Sequence, residues 1–454
     1  MNRNMFREYD IRGIFNEDLT RESVSTLGRT IGTYLESKGI RTAAVGRDCR
    51  LSSDDIFAWL AAGLTAAGID VVDIGMVPTP VLYFSVHHFG FPSGVMITGS
   101  HNPPEYNGFK VQVGDSTIYG DEIQKLYRIA SEGKLAGGNG TIGREDALKP
   151  YRDYMMRDIK MERKNMKFVV DCGNGTAGVI APKIMRDLGL DPVELYCDPD
   201  GTFPNHHPDP TVPAHLRDLI RRVGETGAEL GIAYDGDADR IGVVDQDGEI
   251  LWGDRLLVIF SRAILKDHPG ATVLGEVKCS QVLYDDIRAH GGNPVMWKTG
   301  HSLIKAKIKE SGALIGGEMS GHMFFSHRYF GFDDAIYASL RLLELVSRQK
   351  EGLKTLTKGI PRVVSTPEIR VDCPDEKKFA IVGRVLDEFK KRKDLSVIDI
   401  DGARVSFPHG WGLVRASNTQ PVLVLRFEAD NDENLGKIKN EMESVIEEVR
   451  RKIG

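Results

Sequence analysis

Apolar and polar positions along this chain alternate with two different periods, and the switches between them mark out its elements. Residues 21–38 read as a helix, residues 42–45 as a short apolar strand, and Gly46-Arg-Asp-Cys-Arg50 as the turn behind it. Ile56, Leu60 and Leu64 then fall at i, i+4 and i+8 on one face of a second helix, which Ser52 or Ser53 is placed to cap. Gly68 stops that helix, and residues 71–74 form the next strand. Two strands joined by a helix make a parallel unit, because parallel neighbours need a crossover of that length.

The unit recurs twice. Residues 168–170, the turn Asp171-Cys-Gly-Asn-Gly-Thr176, a helix to Leu188 and a strand over 192–195 form the second copy. Residues 272–274, the turn Glu276-Val-Lys-Cys-Ser280, a helix to His290 and a strand over 294–297 form the third. The repetition predicts three α/β domains of similar plan, over residues 1–150, 151–252 and 253–362. The tail departs from it. Residues 361–367 read as a proline-bounded linker, followed by a helix over 376–391 and short strands at 397–398, 403–405 and 422–427. In the last helix Leu435, Ile438, Met442, Val445, Val449 and Ile453 share one face, so residues 363–454 are predicted to be a smaller α+β domain. The short charged segment at 6–13 is expected to end at Gly13.

Composition narrows the partners. A formal charge of −6 argues against a nucleic-acid binder, since phosphate backbones reward a basic surface. Small phosphorylated ligands need only local cationic pockets. The five cysteines are scattered without CxxC spacing, against a disulfide framework or a structural zinc site. The first residues lack the apolar core of a secretion signal, and no apolar run reaches membrane-spanning length. A soluble cytoplasmic protein is expected.

Four stretches carry chemistry. After the apolar residues 95–97 comes Thr98-Gly-Ser-His-Asn-Pro-Pro-Glu-Tyr-Asn-Gly-Phe-Lys110. Gly99, the asparagines Asn102 and Asn107 and the pair Pro103-Pro104 make it a loop rather than a ladder. A serine on such a turn is held up to solvent, where its hydroxyl can attack or be attacked. The same residues also allow a polar turn with a helix-capping serine.

Tyr234-Asp-Gly-Asp-Ala-Asp-Arg240 follows an apolar strand, and its alternation points Asp235, Asp237 and Asp239 the same way. Three close carboxylates repel one another unless a cation sits among them, and hard oxygen donors with an incomplete shell favour Mg²⁺. The glutamate and flanking helices of an EF-hand are missing; a solvated acidic turn is the plainer alternative. In Gly316-Gly-Glu-Met-Ser-Gly-His322, Glu318, Ser320 and His322 alternate as a hydrogen-bonding comb suited to a polyol. Arg415-Ala-Ser-Asn-Thr419 offers a guanidinium, two hydroxyls and an amide, either a cradle for a non-transferring phosphate or a turn cluster.

Together and in this order, these stretches resemble the motifs of the α-D-phosphohexomutase superfamily, over essentially the whole chain. Thr98-Gly-Ser-His-Asn-Pro103 is similar to its phosphoserine loop, Asp235-Gly-Asp-Ala-Asp-Arg240 to its metal loop, Gly317-Glu-Met-Ser-Gly-His322 to its sugar loop and Arg415-Ala-Ser-Asn-Thr419 to its phosphate loop. The resemblance implies an α/β fold of three similar domains and a smaller C-terminal one around a central cleft. It implies that Ser100 carries a phosphoryl group and shares Mg²⁺ with Asp235, Asp237 and Asp239. A hexose 1-phosphate or 6-phosphate takes that group, becomes a hexose 1,6-bisphosphate, turns round and returns its other phosphate to Ser100.

By the same likeness His101 supports the serine loop, Arg240 and Lys110 neutralise charge, and Arg12, Lys110 and His301 stay open as the group that manages the hydroxyl proton. Tyr9, Arg12, Lys278, His301, Glu318, Ser320 and His322 contact the sugar, and Arg415, Ser417, Asn418 and Thr419 hold the phosphate not reacting. Met319 favours the phosphomannomutase/phosphoglucomutase branch over phosphoglucosamine mutases, which usually carry Gln there. A metal-dependent phosphatase and a non-catalytic sugar-phosphate-binding protein are the rival classes. The partners implied are small sugar phosphates, without nucleic acid or membrane, acting on a monomer or small homo-oligomer. The last domain is expected to close over the cleft through the 361–367 hinge.

Overall fold

In the computed structural model, which describes residues 1–418 and 420–453, the chain builds four sheets in sequence order. The first has the spatial order Ile11–Ile14, Tyr106–Val113, Ser93–Ile97, Thr42–Arg47, Asp70–Met76 and Ile142–Arg144, with Ser116–Thr117 on the second strand's edge. The second runs Ile250–Leu251, Ile241–Asp245, Leu230–Tyr234, Phe168–Asp171 and Val193–Leu195. The third runs Asn293–Trp297, Thr272–Glu276, Ile315–Gly317 and Met323–Phe325. All three are mixed. The fourth is wholly antiparallel, with Val422–Ala429 and Gly410–Ala416 at its centre.

The central strands Ser93–Ile97 and Leu230–Tyr234 are buried at every position, as strands between two helical layers must be. The helices pack closely over the first sheet. Arg21–Glu36 crosses Ser53–Ala66 where a Cβ on Gly63 would lie 2.2 Å from the Ser25 carbonyl oxygen, so only glycine fits.

One construction repeats in all three mixed sheets. A parallel strand ends, a loop turns, and the chain returns antiparallel beside it: Ser93–Ile97 to Tyr106–Val113, Leu230–Tyr234 to Ile241–Asp245, and Ile315–Gly317 to Met323–Phe325. The fourth sheet has the same loop and antiparallel return, from Gly410–Ala416 to Val422–Ala429, but starts from an antiparallel strand. The four chemically distinctive loops are these four connections.

Apolar packing divides the molecule differently from the sheets. One continuous core runs through the first three units, from Ala44, Leu82 and Met96 through Phe168, Ile232 and Tyr234 to Ile315, Met323 and Leu343. The C-terminal unit has its own core around Val405, Leu425, Phe427 and Met442. It meets the rest through a small apolar cluster of Val277, Trp411 and Leu413.

Several local expectations change. Neither Ser52 nor Ser53 caps its helix: the Ser52 hydroxyl accepts from Asn107, and the Ser53 hydroxyl donates to Asp48. Gly13 does not end its segment, because Ile11–Ile14 pairs with Tyr106–Val113 across it. The second unit's helix is a 3₁₀ turn, Thr176–Val179, followed by Ala181–Asp187. Within the expected linker, Val364–Ser365 pairs with the strand Val422–Ala429, and Ile369–Asp372 adds an edge strand there that the sequence reading missed.

Candidate active site

The serine loop sits deeper than a post-strand turn suggests. Ser100 is only 3% exposed, so the expectation of a hydroxyl held up to solvent is corrected. The second unit covers it: a Cβ on Gly236 would lie 2.4 Å from the Ser100 carbonyl oxygen, an approach only glycine allows. Ser100 takes a left-handed backbone, φ 48°, which aims its Oγ at the metal loop. That hydroxyl donates to Asp235 Oδ2 at 2.9 Å and lies 3.0 Å from His101 Nδ1. Burial, with Arg240 and Arg12 nearby, holds His101 well below the usual imidazole range, which keeps it neutral.

Asp235, Asp237 and Asp239 are buried, and a carboxylate oxygen from each lies within 4.8 Å of the others. Lys110, returning on the antiparallel strand of the serine hairpin, donates to Asp237 Oδ2 at 2.7 Å and to Asp239 Oδ2 at 2.5 Å. Burial pulls the Lys110 ammonium down, but the two carboxylates outweigh it and hold it well above its ordinary value. Asp235 has no such partner. Burial and the charges of Asp239 and Asp237 push it well above the carboxylate range. Thr79, from the first unit, grips the same loop, its hydroxyl donating to Asp237 Oδ2 at 2.6 Å and its N–H to the Asp237 carbonyl at 2.9 Å.

Asp237 Oδ1 and Asp239 Oδ1 are buried without a hydrogen-bond partner. Hard oxygens left bare, next to a carboxylate destabilised by its neighbours, fit a divalent cation.

The sugar loop splits in two. Glu318 is fixed by the Gly300 N–H at 2.7 Å and faces the Ser320 hydroxyl at 3.2 Å, while Glu276 behind it accepts the Met319 N–H at 3.2 Å. His322 turns the other way. Arg240 Nε donates to its Nε2 at 3.0 Å, and its Nδ1 is 3.2 Å from Asp333 and 3.7 Å from Asp239. A lone β-bridge between Arg240 and His322 joins the two loops by their backbones as well. His301 stacks on His322 with ring centres 5.8 Å apart, and burial with Lys305 keeps it well below the usual imidazole range.

The fourth loop faces the others across the cleft. Arg415 Nε donates to Asp401 at 3.0 Å, and the Ser417 hydroxyl accepts the Gln420 N–H at 3.2 Å. Asn418 Nδ2 donates to the Tyr9 hydroxyl at 2.6 Å, which donates in turn to the Thr299 carbonyl at 2.9 Å, so one tyrosine links the first, third and fourth units. Lys278 Nζ reaches Glu368 at 3.1 Å. Arg12 is held by Asp10 at 2.6 Å and donates to Asn102 at 2.8 Å. Thr419, expected among the phosphate ligands, lies outside the described residues.

Contacts therefore join Ser100, His101, the three aspartates, Lys110, Arg240, His322 and His301 into one cluster. Glu318 with Ser320, Lys278, and Arg415 with Tyr9 and Asn418 form separate polar groups around it. Sequence reasoning missed Thr79, Glu276, Lys305 and Asp333. Asp333-Asp334 shows why. The pair precedes a helix and reads as a cap, and Asp334 does cap it, accepting the Tyr337 N–H at 2.8 Å. Asp333 instead faces Lys305 at 3.1 Å and His322, and nothing in the spacing separates the two roles.

Four hairpin loops meeting at one cleft, with a serine hydroxyl bonded to a buried aspartate triad, define a class, and sequence comparison gives it a family. Successive segments match the models for phosphoglucomutase/phosphomannomutase alpha/beta/alpha domain I over residues 3–136, domain II over 149–248 and domain III over 252–363, and for the C-terminal domain over 368–445. The chain belongs to the phosphoglucomutase/phosphomannomutase family, within the α-D-phosphohexomutase superfamily. It is 49% identical over 435 residues to a phosphomannomutase/phosphoglucomutase of Pseudomonas aeruginosa, covering 96% of this chain and 94% of that one. It is 45% identical over 451 residues to a phosphoglucomutase of Neisseria meningitidis, covering 98% and 97%. A crystal structure of a phosphoglucomutase/phosphomannomutase family protein from Burkholderia thailandensis superposes with a TM-score of 0.94 at 43% identity, covering 99% of this chain and 98% of that one.

Proposed function

We propose that this chain interconverts hexose 1-phosphates and hexose 6-phosphates, of mannose and glucose, through a phosphoserine at position 100. The observation that carries this reading is the 2.9 Å bond from Ser100 Oγ to Asp235, which seats the nucleophile on the metal loop. Asp235, Asp237 and Asp239 would hold Mg²⁺, which when bound neutralises phosphoryl oxygens. In the first transfer the bond from phosphorus to Ser100 Oγ breaks and one to the sugar hydroxyl forms. The hexose 1,6-bisphosphate turns round in the cleft, and the reverse transfer returns its other phosphate to Ser100.

Among the three groups open for the hydroxyl proton, Lys110 is an ammonium that donates to both Asp237 and Asp239 and offers no acceptor. Arg12, an arginine bound to Asp10, is no base either. His301, buried and stacked on His322, is the group left for that role, and burial keeps its imidazole neutral. His101 buttresses the serine loop, and Arg240 sets His322. Glu318 and Ser320, with Lys278, read the sugar hydroxyls in both poses, while Arg415, Ser417, Asn418 and Thr419 hold the idle phosphate against Tyr9.

The four units divide near residues 150, 252 and 362, and the enzyme works in the cytoplasm as a monomer or small homo-oligomer. Among the described residues no helix is long and apolar enough to cross a membrane.

A coupled assay with mannose 1-phosphate, glucose 1-phosphate and glucosamine 1-phosphate, each with Mg²⁺ and trace hexose 1,6-bisphosphate, tests the reading. Turnover of the first two establishes it. Preference for the third moves the chain to the phosphoglucosamine branch. Release of inorganic phosphate makes it a phosphatase, and binding without turnover makes it a sugar-phosphate sensor.

A further inference from the structure

Beneath the serine loop lies a cation that touches neither the triad nor the sugar groups. Arg50 follows the first unit's second strand, and its side chain is fully buried. All five of its N–H donors are used. Nη2 donates to the carbonyls of Ser100 at 2.8 Å and Asn102 at 2.6 Å, and Nη1 to those of Pro103 at 2.5 Å and Tyr106 at 3.0 Å. Nε donates to Asp48 at 3.1 Å. Asp48 in turn accepts the Gly99 N–H at 3.0 Å and the Ser53 hydroxyl at 2.5 Å. Phe203, from the second unit, closes the lower face with its ring centre 5.2 Å from the guanidinium.

Four carbonyls of one loop thus converge on one planar cation. Such convergence is unfavourable for a free loop, since the carbonyl dipoles repel and Ser100 must hold a left-handed backbone that a residue with a Cβ rarely adopts. The guanidinium offsets both. Its fixed fork dictates where each carbonyl points, and the Ser100 carbonyl is also the atom against which Gly236 of the metal loop rests. Orienting that carbonyl orients the Ser100 side chain relative to Asp235.

We infer that Arg50 is a positioning residue for phosphoryl transfer: by gathering the carbonyls of Ser100, Asn102, Pro103 and Tyr106 it sets the Ser100 hydroxyl in line with the metal loop. The inference rests on the phosphohexomutase reading. Lysine cannot replace the fork, because one ammonium presents three donors without planar geometry.

The test compares Arg50→Lys, Arg50→Ala and Gly99→Ala with the parent by steady-state kinetics and melting temperature. In Gly99→Ala the new Cβ would lie 2.5 Å from Arg50 Cζ and displaces the guanidinium from the other side. Every folded variant is expected to lose about 10²-fold in kcat, the scale of a misplaced reacting group, with KM for the sugar phosphate within ~3-fold. Millimolar guanidinium is expected to restore part of the Arg50→Ala rate, and methylammonium is not. A folded Arg50→Lys or Gly99→Ala enzyme with kcat within ~3-fold of the parent overturns the inference, as does a loss in which KM moves in step with kcat. A parent enzyme that turns over no sugar phosphate sinks the mutase reading itself and is seen before any variant is compared.

Discussion

The metal loop and the phosphate loop are built on the same hairpin plan, yet the protein holds them in opposite ways. Asp235 to Arg240 is gripped from three sides: by Thr79 and Lys110 of the first unit, by the bridge to His322 of the third, and by the core those units share. The loop at 415–421 belongs to a unit with a core of its own, which docks on the third unit through Val277, Trp411 and Leu413. It docks also through the buried Arg404 and Arg426, whose guanidiniums donate to the carbonyls of Val277, Cys279 and Lys278, with Tyr9 to Asn418 and Lys278 to Glu368 as further contacts. The side of the serine and metal loops is thus locked by several units at once, and the side of the 415–421 loop is carried by one unit docked on the third.

The sharpest way to break the comparison is on the side of the serine and metal loops. Ser100→Ala is expected to lower turnover roughly 10⁴-fold or more, as loss of a nucleophile does, and to abolish the phosphoserine mass increment seen by intact-mass spectrometry. Asp237→Asn comes next. It weakens the cation site and loosens both Lys110 and Thr79, so a loss of about 10²–10³-fold is expected, on the scale of one transition-state electrostatic contact. Chelation of the parent enzyme should mimic it and reverse on adding Mg²⁺; activity that survives chelation would remove the cation from the scheme.

On the side of the 415–421 loop the effects should be smaller and fall on binding. Tyr9→Phe removes one hydroxyl that links three units, and about 1 kcal/mol, roughly 5-fold in KM, is expected with kcat nearly unchanged. A kcat loss as large as that of Asp237→Asn would mean that the two sides do not differ as described.

The smallest effect concerns pH. The Lys278 ammonium, outweighing the upward push of burial and helped by Arg370, holds the Glu368 carboxyl down at about 2, against an ordinary value of 4.5. A carboxyl depressed on folding stabilises the protein fully above its unfolded value, and that contribution fades as pH falls from 4.5 toward 2. Glu368→Gln should therefore melt slightly below the parent at neutral pH, with the two curves converging in acid. Parallel curves down to that limit would show that the contact does not bind the last unit to the third.

Much of this was legible in the chain because each functional loop sits at a strand end and carries residue types that no core or helix would choose. Asp235, Asp237 and Asp239 alternate with small residues, and the alternation survives folding as convergence. What hid was everything that depends on a partner from elsewhere. His322 reads as one tooth of a sugar comb, but the pairing of two loops turns it toward Asp239 and Asp333. Ser100 reads as exposed because the glycine that lets the second unit cover it lies more than a hundred residues away. The return strand at 422–427 was expected, but those of the first three units were missed for a related reason: Tyr106–Val113, for one, follows a loop too long for a tight hairpin turn, and only pairing in space reveals its direction.

The grip of Thr79 on Asp237 has a further meaning. Thr79 N–H and hydroxyl both end on one residue of the aspartate triad, so part of the joint between the first two units, beside their shared core, is made through the triad itself. A tilt across the joint would therefore distort the three carboxylates that could hold a cation. Metal affinity thereby becomes a strain gauge for the molecule's architecture: a substitution far from the cleft that opens the joint should register as weaker cation binding before it registers anywhere else.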